Sequence, residues 1–286
     1  MSTWKELARQ GLRGALETRR RAKASKADPI CVYDLAEQLD VEVRFCSGNS
    51  FGGMYAKASK TVLVPAFRPP GRQAFTCGHE LGHWYFGHGS RIDELNDIEQ
   101  NSASAPKERL ANFYGGYLLM PPWAVKDAFA RRGWEPGGSS PTQFYAVACQ
   151  FGVGYETLVQ HMRWSLALLT PGRADELLKT SPKQLRQSLL GHDRARHLVL
   201  ADRAWTKVAV DLQVGDMAIL PDGVKLEGKS ALVVGKREMG TLVEGLRPGI
   251  TRAESPEGSW YTFVRVSRKD FVGRSVFRHL EDPDAE

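Results

Sequence analysis

Cysteine is scarce in this chain and follows no pattern. Four occur in 286 residues (Cys31, Cys46, Cys77 and Cys149), none at Cys-x-x-Cys spacing. That argues against a thiolate zinc knuckle and against a disulfide framework. A reducing cytoplasm is the expected setting. No run approaches the ~20 apolar residues that a membrane span needs, so no membrane partner is expected. The opening residues, Met1-Ser2-Thr3-Trp4-Lys5-Glu6-Leu7, lack the short apolar core of a secretory signal. Internal repeats and low-complexity tracts are likewise missing.

What is present suits a soluble protein of two or three compact units. Hydrophobic residues make up 42% of the chain, enough for real cores, and charged residues an ordinary 25%. The formal charge of +6 is local. Residues 1–27 hold eight Lys and Arg against Glu6 and Glu17, so the rest of the chain is neutral. Trp4, Leu7, Ala8, Leu12, Ala15 and Leu16 fall near helical spacing. The segment therefore reads as a basic amphipathic helix, packed on the body with a solvated charged face. Contact with nucleic acid or an acidic partner is the competing reading.

Asp28-Pro29 reads as a helix start. Val41–Phe45, the stretch from Phe51 to Ala56 and Thr61–Val64 read as strands. A helix is expected over roughly 72–87, closed by Gly87 and Gly89. Another opens at Pro106 and closes at Met120-Pro121-Pro122, and a short one lies near 123–131. Residues 135–141, rich in Gly, Pro and Ser, are the first plausible boundary. Two helices around a turn at Gly152 make a helix-turn-helix-like unit over 142–164. Helices continue to about 200, with Ser181-Pro182 as a further start. After Trp205 short β-type runs alternate with Gly-bounded turns, which reads as a small all-β domain. Its expected core includes the aromatics Trp260, Tyr261, Phe263, Phe271 and Phe277.

One short stretch carries chemistry: His79-Glu80-Leu81-Gly82-His83. On a helix, positions i and i+4 share a face, so His79 and His83 can bind one ion. Glu80 sits one step around, able to reach a metal-bound water without being a ligand. Zinc lowers the pKa of such a water from 15.7 to about 7, and the carboxylate can take its proton. Chance alone yields this pattern on the order of 0.01 times in a chain of this composition, so a plain structural helix is the weaker account.

Two histidines are incomplete, because catalytic zinc usually takes three protein ligands and keeps one position open. The downstream candidates are His88, Glu94, Asp97, Glu99, Glu108 and His161. Taken as continuing the helix, His88 falls about 140° around from His83, on the wrong face, and reads as an end-of-helix residue. The acids of 93–99 read as a solvated loop. Glu108 is the best choice. It stands in the first turn of its helix, on a face that continues through Ala111, Asn112 and Gly115, small enough for close approach to the His79/His83 helix. Cys77 reads as a small core residue, with a redox role near the metal as the sharper alternative.

At these residues the sequence closely resembles the ImmA/IrrE family of zinc-peptidase-like proteins. "RQAFTCGHELGHWYFGH" is followed by "KERLANFYGGYLLMPP", in which Glu108, Asn112, Leu119, Met120 and Pro121 match the family's second motif. Cys77 and Gly78 stand where Leu-Ala is usual. The resemblance covers roughly residues 28–165. It implies a zincin-like minimal fold, with His79, His83 and Glu108 as zinc ligands and Glu80 as general base. It also implies a substrate class: DNA-binding repressor proteins, cut to release stress-response or mobile-element genes.

The expected class is therefore α+β. The divisions are a basic N-terminal helix (1–27), a zincin-like metallopeptidase domain (28–135), a helix-turn-helix-like helical region (136–200) and an all-β domain (205–286) that senses a signal or holds substrate. One zinc per chain is expected, with manganese as the alternative ion. The expected partner is a protein substrate, with DNA contact weak or non-specific. Two other readings compete: a DNA-binding regulator on a vestigial peptidase fold, and a metal-dependent toxin or defence effector. Against the regulator, the would-be recognition helix "GYETLVQHMRWS" has Arg163 as its lone fixed cation.

Overall fold

The computed structural model describes residues 3–48, 52–88, 106–191, 197–206 and 208–280. Its first element is α1 (Trp4–Arg21), capped by Thr3. There follow α2 (Val32–Glu37), β1 (Glu42–Cys46), β2 (Met54–Ala56), β3 (Thr61–Pro65) and α3 (Pro70–Tyr85). The helical series continues with α4 (Pro106–Leu119), α5 (Pro122–Ala130), α6 (Pro141–Gln150), α7 (Tyr155–Trp164), α8 (Pro171–Leu178) and α9 (Pro182–Leu190). Proline at the first helical position recurs because its missing N–H is an orphan there in any case. Ser140 and Ser181 add full capping boxes with Gln143 and Gln184.

Short strands fill the C-terminal region: β4 (Leu198–Leu200), β5 (Val210–Gln213), β6 (Met217–Leu220), β7 (Lys225–Glu227) and β8 (Ala231–Arg237). They continue with β9 (Gly240–Gly245), β10 (Gly249–Glu254), β11 (Tyr261–Ser267) and β12 (Gly273–Arg274). Two sheets, ordered β5-β11-β10-β7 and β4-β6-β9-β8, enclose a core of Trp205, Val210, Leu212, Val264, Val266 and their neighbours. The class is α+β, a helical part followed by a β region. Among the described residues, no helix is long and apolar enough to cross a membrane.

The first sheet has the order β12-β1-β3-β2. β1 runs parallel to β3, and β2 and β12 are antiparallel to their neighbours. The sheet is thus completed by a strand from the far end of the chain.

Four expectations change. Asp28 does not cap α2, which starts at Val32 behind Cys31 with no side-chain cap. The β region begins before Trp205, because Leu198–Leu200 pairs in parallel with β6. Its aromatics are not all core. In β11 the inward positions are Thr262, Val264 and Val266, so Tyr261 and Phe263 point outward and are 58% and 47% exposed. Phe271 packs on Phe45 of β1 instead. Finally, Arg19 leaves the solvated basic face of α1. It is fully buried, with Nε donating to the Leu118 carbonyl at 2.9 Å and Nη1 to the Asp28 carbonyl at 3.0 Å. Burial pulls its pKa down to about 10, against the opposing pull of Asp28.

Candidate metal centre

α3 and α4 cross where their sequences are smallest. A Cβ added at Gly115 would lie 2.9 Å from the His79 backbone nitrogen and 3.0 Å from the Gly78 carbonyl carbon. One at Gly82 would lie 3.0 Å from Ala111 Cα. Backbone lies against backbone where the two helices cross, and the first turn of α4 reaches the His79/His83 face.

Three side chains meet there. His79 Nε2 and His83 Nε2 stand 3.0 Å apart. Glu108 Oε2 lies 3.3 Å from the former and 3.4 Å from the latter. All three are nearly enclosed, at 9%, 3% and 4% exposure. Burial by itself would raise the Glu108 carboxyl. The hydrogen bonds and charge of the two imidazoles outweigh it and hold the carboxyl well below the usual carboxylate range. The donor set fits one small cation. Tetrahedral ligands at ~2.0–2.2 Å from an ion stand roughly 3.3–3.6 Å from one another. Both Glu108 distances lie in that range, and the histidine pair is a few tenths of an ångström closer. Two nitrogens with one carboxylate oxygen suit zinc.

The far nitrogens of both rings are held as well. His79 Nδ1 is 2.9 Å from Asn112 Oδ1, and His83 Nδ1 is 3.0 Å from His88 Nδ1. Asn112 was visible in sequence as part of a motif, without a role. His88 corrects the helical-wheel reading. The helix ends at Tyr85, Gly87 turns at φ +66°, and the chain folds His88 back against His83. A wheel drawn through residue 88 assumed a helix that had already stopped.

Glu80 is buried and borders the same cavity of about 1210 Å3 as His79, Glu108 and Asn112. Gly53, just before β2, passes over it so closely that an added Cβ would lie 3.1 Å from Glu80 Oε1. The cavity is further walled by Glu156, Gln160 and Trp164 of α7, and by Trp4 and Arg109.

Of the remaining ligand candidates, His161 borders the same cavity but does not join the three converging donors. Its Nε2 donates to the Met120 carbonyl at 3.0 Å. Glu94, Asp97 and Glu99 lie outside the described residues. Cys77 is fully buried, and burial pushes its thiol well up, as befits a core side chain.

Residues 36–163 match the family model of the IrrE N-terminal-like domain, a peptidase family. This part of the chain, α2 through α7, carries all four candidate site residues and is similar to the IrrE N-terminal-like domain of the ImmA/IrrE family. No curated protein matches the chain. Among solved structures, a Mycobacterium tuberculosis transcriptional regulator aligns at 14% identity with a TM-score of 0.36. That alignment covers 53% of this chain and 46% of the other, so the chain spans less than half of that protein. A likeness of this size carries no argument.

Proposed function

We propose that the chain is a cytoplasmic zinc-dependent endopeptidase acting on a specific protein, a helix-turn-helix repressor. The observation that carries the reading is the convergence of His79 Nε2, His83 Nε2 and Glu108 Oε2 within 3.0–3.4 Å of one another. The repressor as substrate, and release of stress-response or mobile-element genes as outcome, rest on the family resemblance. Four free cysteines suit a reducing compartment.

His79, His83 and Glu108 would hold the ion. When bound, it supplies Lewis acidity, polarising a peptide carbonyl and acidifying water at the site. Glu80 takes the proton from the attacking water and passes it to the leaving amine nitrogen. Asn112 and His88 keep the two ring planes aimed inward. The cavity walls choose the peptide, because two imidazoles and two carboxylates have little sequence preference of their own.

The regulator reading places α7 against DNA. Yet Glu156, Gln160 and Trp164 of that helix border the cavity of the candidate site, and Arg163 is engaged with Asp175 at 2.6 Å. A wall for a protein substrate is the better use of α7.

The test uses purified full-length chain with small helix-turn-helix repressors as substrates, beginning with any encoded near its gene. The unmutated chain should carry about one zinc and cut the repressor. Glu80→Gln should keep the metal and lose cleavage, whereas Glu108→Ala should lose both. Full metal and full activity in Glu108→Ala would break the ligand assignment. Sequence-specific, salt-resistant nanomolar binding to duplex DNA would promote the regulator instead.

A further inference from the structure

We infer that His88 is a positioning residue, and that it fixes the tautomer in which His83 can bind a cation. The inference rests on the metal-site reading above and adds a role for a residue outside the ligand set.

A neutral imidazole carries one N–H and one lone pair. His83 Nε2 faces Glu108 Oε2 and His79 Nε2. To offer a lone pair there, the ring must keep its hydrogen on Nδ1. The atom that receives this hydrogen is His88 Nδ1, 3.0 Å away. His88 must then carry its own hydrogen on Nε2. The direction of the bond is thereby set, from His83 to His88.

The chain is built to hold His88 in this place. Its backbone N–H donates to the His83 carbonyl at 2.9 Å, which ties residue 88 to the turn that bears the ligand. Phe86 stacks on its ring, with centroids 5.8 Å apart and planes at 26°. Gly87 takes a φ of +66°, the left-handed region that a side chain strains to enter. Asn112 plays the matching part for His79 with a carbonyl oxygen. Both partners are neutral, where a carboxylate is a common choice for orienting a metal-bound histidine.

The similarity of the two partners supplies the test. Asparagine places Oδ1 where histidine places Nδ1, so His88→Asn keeps an acceptor and loses the ring. His88→Phe keeps a ring against Phe86 and loses the acceptor. Zinc affinity is measured on full-length protein by competition with a chromophoric chelator. His88→Phe should bind zinc roughly ten- to a hundredfold more weakly, and His88→Asn within about threefold of the unmutated chain. A residue that merely packs would give the reverse order. Undiminished affinity in His88→Phe, or an equal loss in both, overturns the proposal.

A second measurement needs no variant. Nitrogen-15 shifts of the zinc-loaded protein should show hydrogen on His83 Nδ1 and on His88 Nε2. Hydrogen on His88 Nδ1 would also overturn it. His83→Ala separates the two levels of argument. If the unmutated chain binds zinc no better than that variant, the metal-site reading itself fails.

Discussion

His161 is an imidazole kept neutral by burial, which pulls its pKa down to about 4 despite the hydrogen bond to the Met120 carbonyl. In the unfolded chain the same ring titrates near 6.5. Between those values the unfolded state binds a proton that the folded state refuses. This contribution to stability is whole above pH 6.5 and is lost as pH falls from 6.5 to 4, by up to roughly 3 kcal/mol. His197 and His279 are lowered to about 4 as well, again chiefly by burial. Acid should therefore weaken the fold well before its carboxylates titrate. Urea unfolding at pH 7 and pH 4.5 checks this, with His161→Gln as the comparison, since it retains a donor for Met120. The variant should lose about 2 kcal/mol less between the two pH values. An equal loss in both proteins would mean that His161 is not the group responsible.

At this scale the sequence was most legible where spacing alone decides geometry. His79 and His83 share a helical face by arithmetic, with Glu80 one step around, and Glu108 followed from the small residues behind it. His88 was hidden because its position depends on where α3 stops. Gly87 marks that stop, yet no periodicity says which way the chain leaves a left-handed turn. Arg19 was hidden for the opposite reason. Its neighbours Arg20 and Arg21 are exposed, and three arginines in a row look alike until carbonyls from Leu118 and Asp28 are placed around one of them.

Between elements, the decisive contact is the crossing of α3 and α4 at Gly78, Gly82, Ala111 and Gly115. A methyl at Gly115 would press on the backbone of residues 78 and 79, which has no rotamer by which to yield. Gly115→Ala should cost about 1–3 kcal/mol and draw Glu108 away from the histidines. Thermal unfolding reports the first effect and zinc content the second. Gly116, one residue on, serves as a control for position, because a Cβ there would meet the ring of His161 instead. Gly116→Ala should destabilise without lowering zinc affinity. If both variants keep their metal equally well, the close crossing is not what brings Glu108 to the site. Helix positions were largely readable, since proline and serine punctuate almost every start. The β-strands were readable as runs but not as faces. Tyr261 and Phe263 look like core by composition, and only the register of β11 against β5 and β10 turns them outward.

For the molecule as a whole, the β region and the N-terminal part share structure. Arg265 holds Asp211 through paired contacts of 2.6 and 2.7 Å and reaches Asp34 of α2 at 2.7 Å. Arg278 meets the same Asp34 at 2.9 Å. Burial alone would raise the Asp34 carboxyl, but the two guanidinium groups outweigh it and bring it down to about 2. Leu198, Leu200, Ile219 and Leu242 join the core that also contains Leu81 and Leu118. Sequence alone suggests that a chain ending near residue 200 folds and binds zinc. These contacts argue otherwise. Ending there strips β12 from β1, removes both partners of Asp34 and uncovers part of the main core. Residues 1–200 should melt well below the full chain and hold zinc poorly, measured by circular dichroism and metal content. Equal melting and metal content would show the N-terminal part to be self-sufficient. The self-contained look of the β region came from its own apolar runs. Nothing local in Gly273-Arg274 announces that this strand belongs to another sheet.

That returning strand has a consequence in time. The ribosome makes β1 early and β12 almost last, so one side of β1 waits without its neighbour while some 225 residues are added. At 5–20 residues per second the wait is roughly 10 to 50 s. An open strand edge is an invitation to other nascent chains. Glu42 and Arg44 alternate along β1, bonded to each other at 3.0 Å, and they put charge on the waiting edge until Arg274 arrives to pair with Glu42 at the same distance. Synthesis broken off before residue 273 would therefore release a chain whose metal site is fully encoded and whose supporting sheet is left unfinished.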